Sequence, residues 1–104
     1  MPENQPAFPA VDRVIHEPAR LAILTVLSAC ESADFTFLQS ATGLSKGNLS
    51  VQLTRLDEAG LISVERVLHR KTTRTSVELT RRGKQQLSDY WFTMKKIQEQ
   101  AGAD

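Results

Sequence analysis

The sequence predicts a mostly α domain of the α+β class, with helices first, then a two-stranded hairpin, then one long closing helix. Three observations carry this. Thr36 to Gly60 reads as two capped helices around a glycine turn. Leu61 to Leu68 and Arg74 to Leu79 both alternate at period two. From Leu87 onward, apolar residues recur at spacings of three and four. At 104 residues the chain is one domain with a single modest core.

The first nine residues carry three prolines, and 1–9 are expected to be a flexible arm; the folded domain is expected over 10–100. Ala10 to His16 is expected to form a short helix, with Val11, Val14 and Ile15 on one side. Pro18 suits the first turn of the next helix. Ala19 to Cys30 is apolar on most sides, with Leu21, Ile23, Leu24, Val26 and Leu27, which marks the centre of a core.

In the central stretch, Thr36 and Gln39 have the spacing of a capping box, and Gly43 supplies the left-handed stop. Ser45 caps the second helix, and Gly60 ends it. Leu49, Leu53 and Leu56 fall on one face and must be buried. The opposite face carries Lys46, Asn48, Ser50, Val51, Gln52, Thr54 and Arg55, with no acid until Asp57 and Glu58. Asn and Gln pair bidentately with adenine edges, Arg with guanine, and Val51 suits a thymine methyl. An ordinary solvated face would mix Glu with Lys. The pair therefore reads as a helix-turn-helix, with 45–59 as the helix that enters the major groove.

Two alternating runs form a hairpin, with a bulge or strand end expected at Val67-Leu68. Its connection, His69 to Thr73, has no Asn-Gly pair and is expected to be a longer cationic loop. A hairpin directly after a helix-turn-helix is a wing, here 66–76, with two or three strands in its sheet. Between Arg66 and Lys84 seven basic residues stand against Glu78 alone, leaving +6, while the net charge of the chain is +1. That asymmetry is the footprint of a polyanion partner. A solubilising edge is the bland alternative, but it would accept Glu equally well.

Thr80 reads as the cap of the last helix, 80–100. Arg81 and Arg82 in its first turn oppose the helix dipole, an effect that a nearby phosphate would reverse. Leu87, Tyr90, Trp91, Met94 and Ile97 share one side, and Trp91-Phe92 widens it. Part of this surface, together with Val11, Val14 and Ile15, is expected to form a homodimer interface; packing on the chain's own core is the competing account.

The segments PARLAILTVL (18–27), GLSKGNLSVQLTRLDEAGLI (43–62) and ELTRRGKQQL (78–87) resemble short stand-alone winged helix-turn-helix transcriptional regulators of the MarR/ArsR-like group. The resemblance covers about residues 11–100. It implies double-stranded DNA as partner, with Lys46, Asn48, Ser50, Val51, Gln52 and Arg55 at the major groove and Arg70, Lys71 and Arg74 in wing contacts. It also implies dimerisation through the last helix. The paired cysteines of the ArsR metal sensors are replaced by Phe37-Leu38-Gln39-Ser40, so no metal is expected. The longer flanking helices that build the MarR ligand pocket are missing, so no effector is assigned.

The chemistry excludes other classes. There is one cysteine and two histidines, too few for a metal site and none for an internal disulfide. No phosphate-binding loop or activated nucleophile is present, so neither an enzyme nor a cofactor is expected. No apolar run approaches a membrane span, and a soluble cytoplasmic protein is expected. The alternative function is a winged-helix docking module that meets an acidic protein without binding DNA.

Overall fold

A computed structural model describes residues 10–102 of the chain; the expected arm, 1–9, lies outside them. Helix α1 (Pro18–Ser28) is followed by β1 (Ala33–Asp34), α2 (Phe35–Thr42), α3 (Lys46–Glu58), β2 (Ile62–His69), β3 (Thr72–Leu79) and α4 (Arg81–Ala101). The three strands form one antiparallel sheet in the order β1-β3-β2. The fold is a winged helix with a long C-terminal helix, as expected from the three sequence patterns.

The core follows from amphipathic faces converging. Ile23, Leu24 and Leu27 of α1 meet Leu38 of α2, the Leu49, Leu53 and Leu56 face of α3, and Ile62, Val77 and Leu79 of the sheet. Each face alone would leave apolar surface in water; together they bury it at roughly 25 cal/mol per Å². Leu61 and Leu87 close the cluster from the start of β2 and from α4.

Caps fix the helix starts. Glu17 accepts from the Arg20 amide at the head of α1, with Pro18 just inside it. Ser45 accepts from the Asn48 amide, and Thr80 from the Gly83 amide. Gly43 ends α2 at φ 73°, and Gly60 follows α3 at φ 78°. The expected Thr36 capping box is corrected: Asp34 is the cap and accepts from the Phe37 amide at 2.7 Å. Pairing of Ala33 and Asp34 with β3 places Asp34 where the backbone turns from strand to helix, so α2 starts at Phe35.

Three more expectations change. Residues 10–16 form no helix; Asp12 Oδ1 instead accepts from the amides of Val14 and Ile15 in a single turn. The register of β2 with β3 runs unbroken from Ile62↔Leu79 to His69↔Thr72, so no bulge or strand end interrupts Val67-Leu68. The connection is a two-residue turn, not a longer loop: Arg70 and Lys71 both take left-handed backbone, at φ 52° and 62°. Positive φ at both central residues is the type I′ geometry, whose twist matches that of the flanking strands.

Candidate nucleic-acid interface

The Leu49, Leu53, Leu56 face anchors α3 and so decides what the helix presents outward. At 100° per residue, the direction opposite that face is occupied by Val51, flanked by Gly47, Asn48, Thr54, Arg55 and Glu58. Val51 is 50% exposed, and Lys46, Asn48, Ser50 and Arg55 are exposed as well.

Gln52 does not share this outward direction. It lies on the flank toward α1, is half-buried, and accepts from Arg20 Nη1 at 2.8 Å while its Nε2 donates to Asn48 Oδ1 at 3.0 Å. Gln52 is thus already engaged within the chain, and the expectation that it stands free for a base edge is corrected. Ser50 lies on the other flank, where Ser50, Leu53, Thr54 and Asp57 of α3 line a groove with Phe35, Val64, Arg66 and Thr75. This groove joins α3 to the wing.

The wing's two faces follow from strand alternation. Val64, Arg66 and Leu68 share a face with their register partners Val77, Thr75 and Thr73, and Val77 is fully buried, so this face turns toward α3. Arg74 pairs with Val67 on the opposite face, where the two residues line a shallow groove with Ser32, Ala33 and Asp34. The cation that faces α3 is therefore Arg66, which motif reasoning left out of the site. The parity of β2, counted forward from Ile62, is the sequence signal that identifies it. Arg70 and Lys71 occupy the tip. Leu68 is 75% exposed, so the distal wing has no core of its own.

The residues expected at a homodimer interface divide in two. Ile15, Leu87 and Tyr90 are buried in the chain's own core, at 0%, 5% and 3% exposure. The Tyr90 hydroxyl lies 2.8 Å from His16 Nδ1, which answers its need for a polar partner. For these three, packing on the same chain is the correct account. Val11, Met94 and Ile97 are half-buried, while Val14 and Trp91 remain substantially exposed, as does Phe92. Cys30, half-buried, lines an apolar cleft with Leu27, Lys84, Leu87 and Trp91. Among the described residues there is no group of three His, Cys, Asp or Glu side chains placed to hold a metal, and no helix long and apolar enough to cross a membrane.

A helix with a polar, acid-poor outer face, set beside a cationic hairpin, defines a winged-helix nucleic-acid-binding module. The chain belongs to the winged helix DNA-binding domain family, whose model matches residues 19–98. It is 22% identical over 85 residues to an uncharacterized protein of Methanocaldococcus jannaschii, spanning 82% of this chain and 92% of that one. Its fold matches a transcriptional regulator homologue from Pyrococcus horikoshii at a TM-score of 0.82 and 25% identity, over 88% of this chain and 91% of that chain. The transcriptional repressor CouR, solved bound to a 23-mer DNA duplex, shares the fold at TM-score 0.68 and 21% identity, over 86% and 66% of the two chains. A MarR-family regulator from Silicibacter pomeroyi does so at 0.65 and 23%, over 80% and 55%. Family and fold together are those of winged-helix transcriptional regulators.

Proposed function

We propose that this chain is a homodimeric, sequence-specific regulator that binds double-stranded DNA. In this reading α3 enters the major groove, with Lys46, Asn48, Ser50, Val51 and Arg55 toward the bases and flanking phosphates. The wing lies on the backbone or in the minor groove through Arg66, Arg70 and Lys71, with Arg74 reaching from its outer face. The observation that carries the reading is the union of the two elements: an outward face without acid over the first three turns of α3, joined by one groove to a hairpin whose distal part, 66–76, carries Arg66, Arg70, Lys71 and Arg74 and no acid. The DNA-bound neighbour and the family support it.

Phosphate contacts supply most of the affinity in such a complex, and base-edge contacts the selectivity. A two-fold dimer sets its two recognition helices ~34–36 Å apart, one turn of the duplex, over a pseudo-palindrome. Mobility-shift titrations at several salt concentrations test this. Arg70→Ala and Lys71→Ala are expected to weaken all sequences alike and to reduce the salt slope by about 1 each. Asn48→Ala is expected to cost about 1–3 kcal/mol at one base position and relax the preference there. An affinity for duplex DNA that ignores salt, or no affinity at all, would sink the reading.

A further inference from the structure

Arg20 belongs to α1, outside the helix-turn-helix, yet its guanidinium touches the recognition helix. Nη1 donates to Gln52 Oε1 at 2.8 Å, Nε donates to the Val14 carbonyl, and Nη2 reaches the Arg13 carbonyl at 3.5 Å. Gln52 Nε2 then donates to Asn48 Oδ1 at 3.0 Å. The chemistry gives this relay one direction. A guanidinium has donors and no acceptor, so the Gln52 atom facing Arg20 is its oxygen. The amide nitrogen of Gln52 is thereby turned toward Asn48, and a donor there requires the Asn48 oxygen. With its Oδ1 held toward Gln52, exposed Asn48 turns its Nδ2, with two N–H donors, outward.

We propose that Arg20 is a positioning residue that sets base preference: through Gln52 it locks the Asn48 amide so that Asn48 presents donors to the major groove. A donor pair suits guanine, whose N7 and O6 both accept. An asparagine free to rotate would favour adenine, because its N7 and N6 need both an amide donor and an amide acceptor. The inference rests on the DNA-binding reading above and adds to it a residue and a base. It also ties the turn at Arg13-Val14 to the reading helix, since one guanidinium holds both.

The test is selection of bound sites from random duplex DNA by the full chain and by Arg20→Lys, Arg20→Gln and Gln52→Glu variants. The position read by Asn48 is the one whose preference disappears in Asn48→Ala. Wild type is expected to favour guanine there. Arg20→Lys still offers donors and no acceptor and is expected to keep the preference, whereas Arg20→Gln offers both, no longer dictates which Gln52 atom faces it, and is expected to lower the guanine-over-adenine ratio on the order of tenfold, with other positions unchanged. A purely structural role for Arg20 would lower melting temperature and weaken all sequences without moving that ratio.

Arg20 also supports the turn before α1, so Gln52→Glu is the second probe. Glutamate still accepts from Arg20 but donates nothing to Asn48, whose nitrogen then turns toward it and whose oxygen turns outward. Preference is expected to move toward adenine or cytosine, whose exocyclic amino groups donate. Adenine preferred by wild type, or a ratio unmoved in Gln52→Glu, overturns the inference while leaving the regulator reading intact. A wild-type chain that binds no duplex overturns both.

Discussion

Gly83 stands in the first turn of α4, where the helix crosses the start of β2. A Cβ built on it would overlap the carbonyl oxygen of Leu61. That carbonyl also accepts from the Thr80 amide, and the Thr80 hydroxyl donates to the Gly60 carbonyl. Two backbone segments are thus bonded at van der Waals distance, and neither can recede without breaking those bonds. Gly83→Ala is expected to destabilise by about 3 kcal/mol, the upper end for overpacking, as read by urea denaturation; a melt like wild type would show that α4 can lift away. At this scale the buried leucines were legible, because their spacing needs no knowledge of neighbours. Gln52 was not fully so: helical spacing sets it beside the leucine stripe, but its partner, Arg20 of α1, lies 32 residues away and was not legible.

Among the elements, α3 was the most legible. Ser45, the leucine face and Gly60 are local signals, and each acts within one helix. The start of α2 was misread because β1 is two residues long and is a strand only by pairing with β3, which sequence periodicity cannot reveal. The hairpin turn was misread for the opposite reason. Arg and Lys are poor choices for left-handed backbone, which costs L-residues roughly 1–2 kcal/mol each, yet the strand register leaves only those two residues to turn the chain. The cost of cations at this tip is what a phosphate-contacting wing would tolerate. Replacing them by Arg70→Asn with Lys71→Gly is expected to stabilise the fold by about 1 kcal/mol, a rise of roughly 4–8 °C in Tm. The same double variant is expected to lose about 2 from the salt slope of DNA binding. Unchanged stability would mean that the turn stores no strain.

The whole molecule is long and thin, with extents of 60 × 25 × 25 Å and a radius of gyration of 16.4 Å, where a compact domain of this size has about 13 Å. The buried residues of α4 are Gly83, Leu87 and Tyr90, all in its first half. Beyond them Trp91 is 47% and Phe92 64% exposed, an apolar surface of the kind that marks an interaction site. A second copy is the occupant that the regulator reading requires. Trp91→Glu combined with Ile97→Glu is expected to give a folded monomer by light scattering, with helical circular dichroism retained and tight binding to a two-half-site duplex lost. A wild-type chain that is already monomeric would count against the dimer.

What the sequence by itself determined is the set of local matters: the helices and their caps at Ser45 and Thr80, the glycine stops, the buried stripe of α3 and the cationic hairpin. These depend on residues within a turn or two of one another, and such neighbours are written in order along the chain. Only the tertiary structure decided which polar groups are free. It assigned Gln52 to Arg20 and Tyr90 to His16, and it set the Arg66 face of the wing against α3. The physical reason is that a hydrogen bond or a strand face is settled by partners far away in sequence, and their approach is fixed by how the buried faces pack.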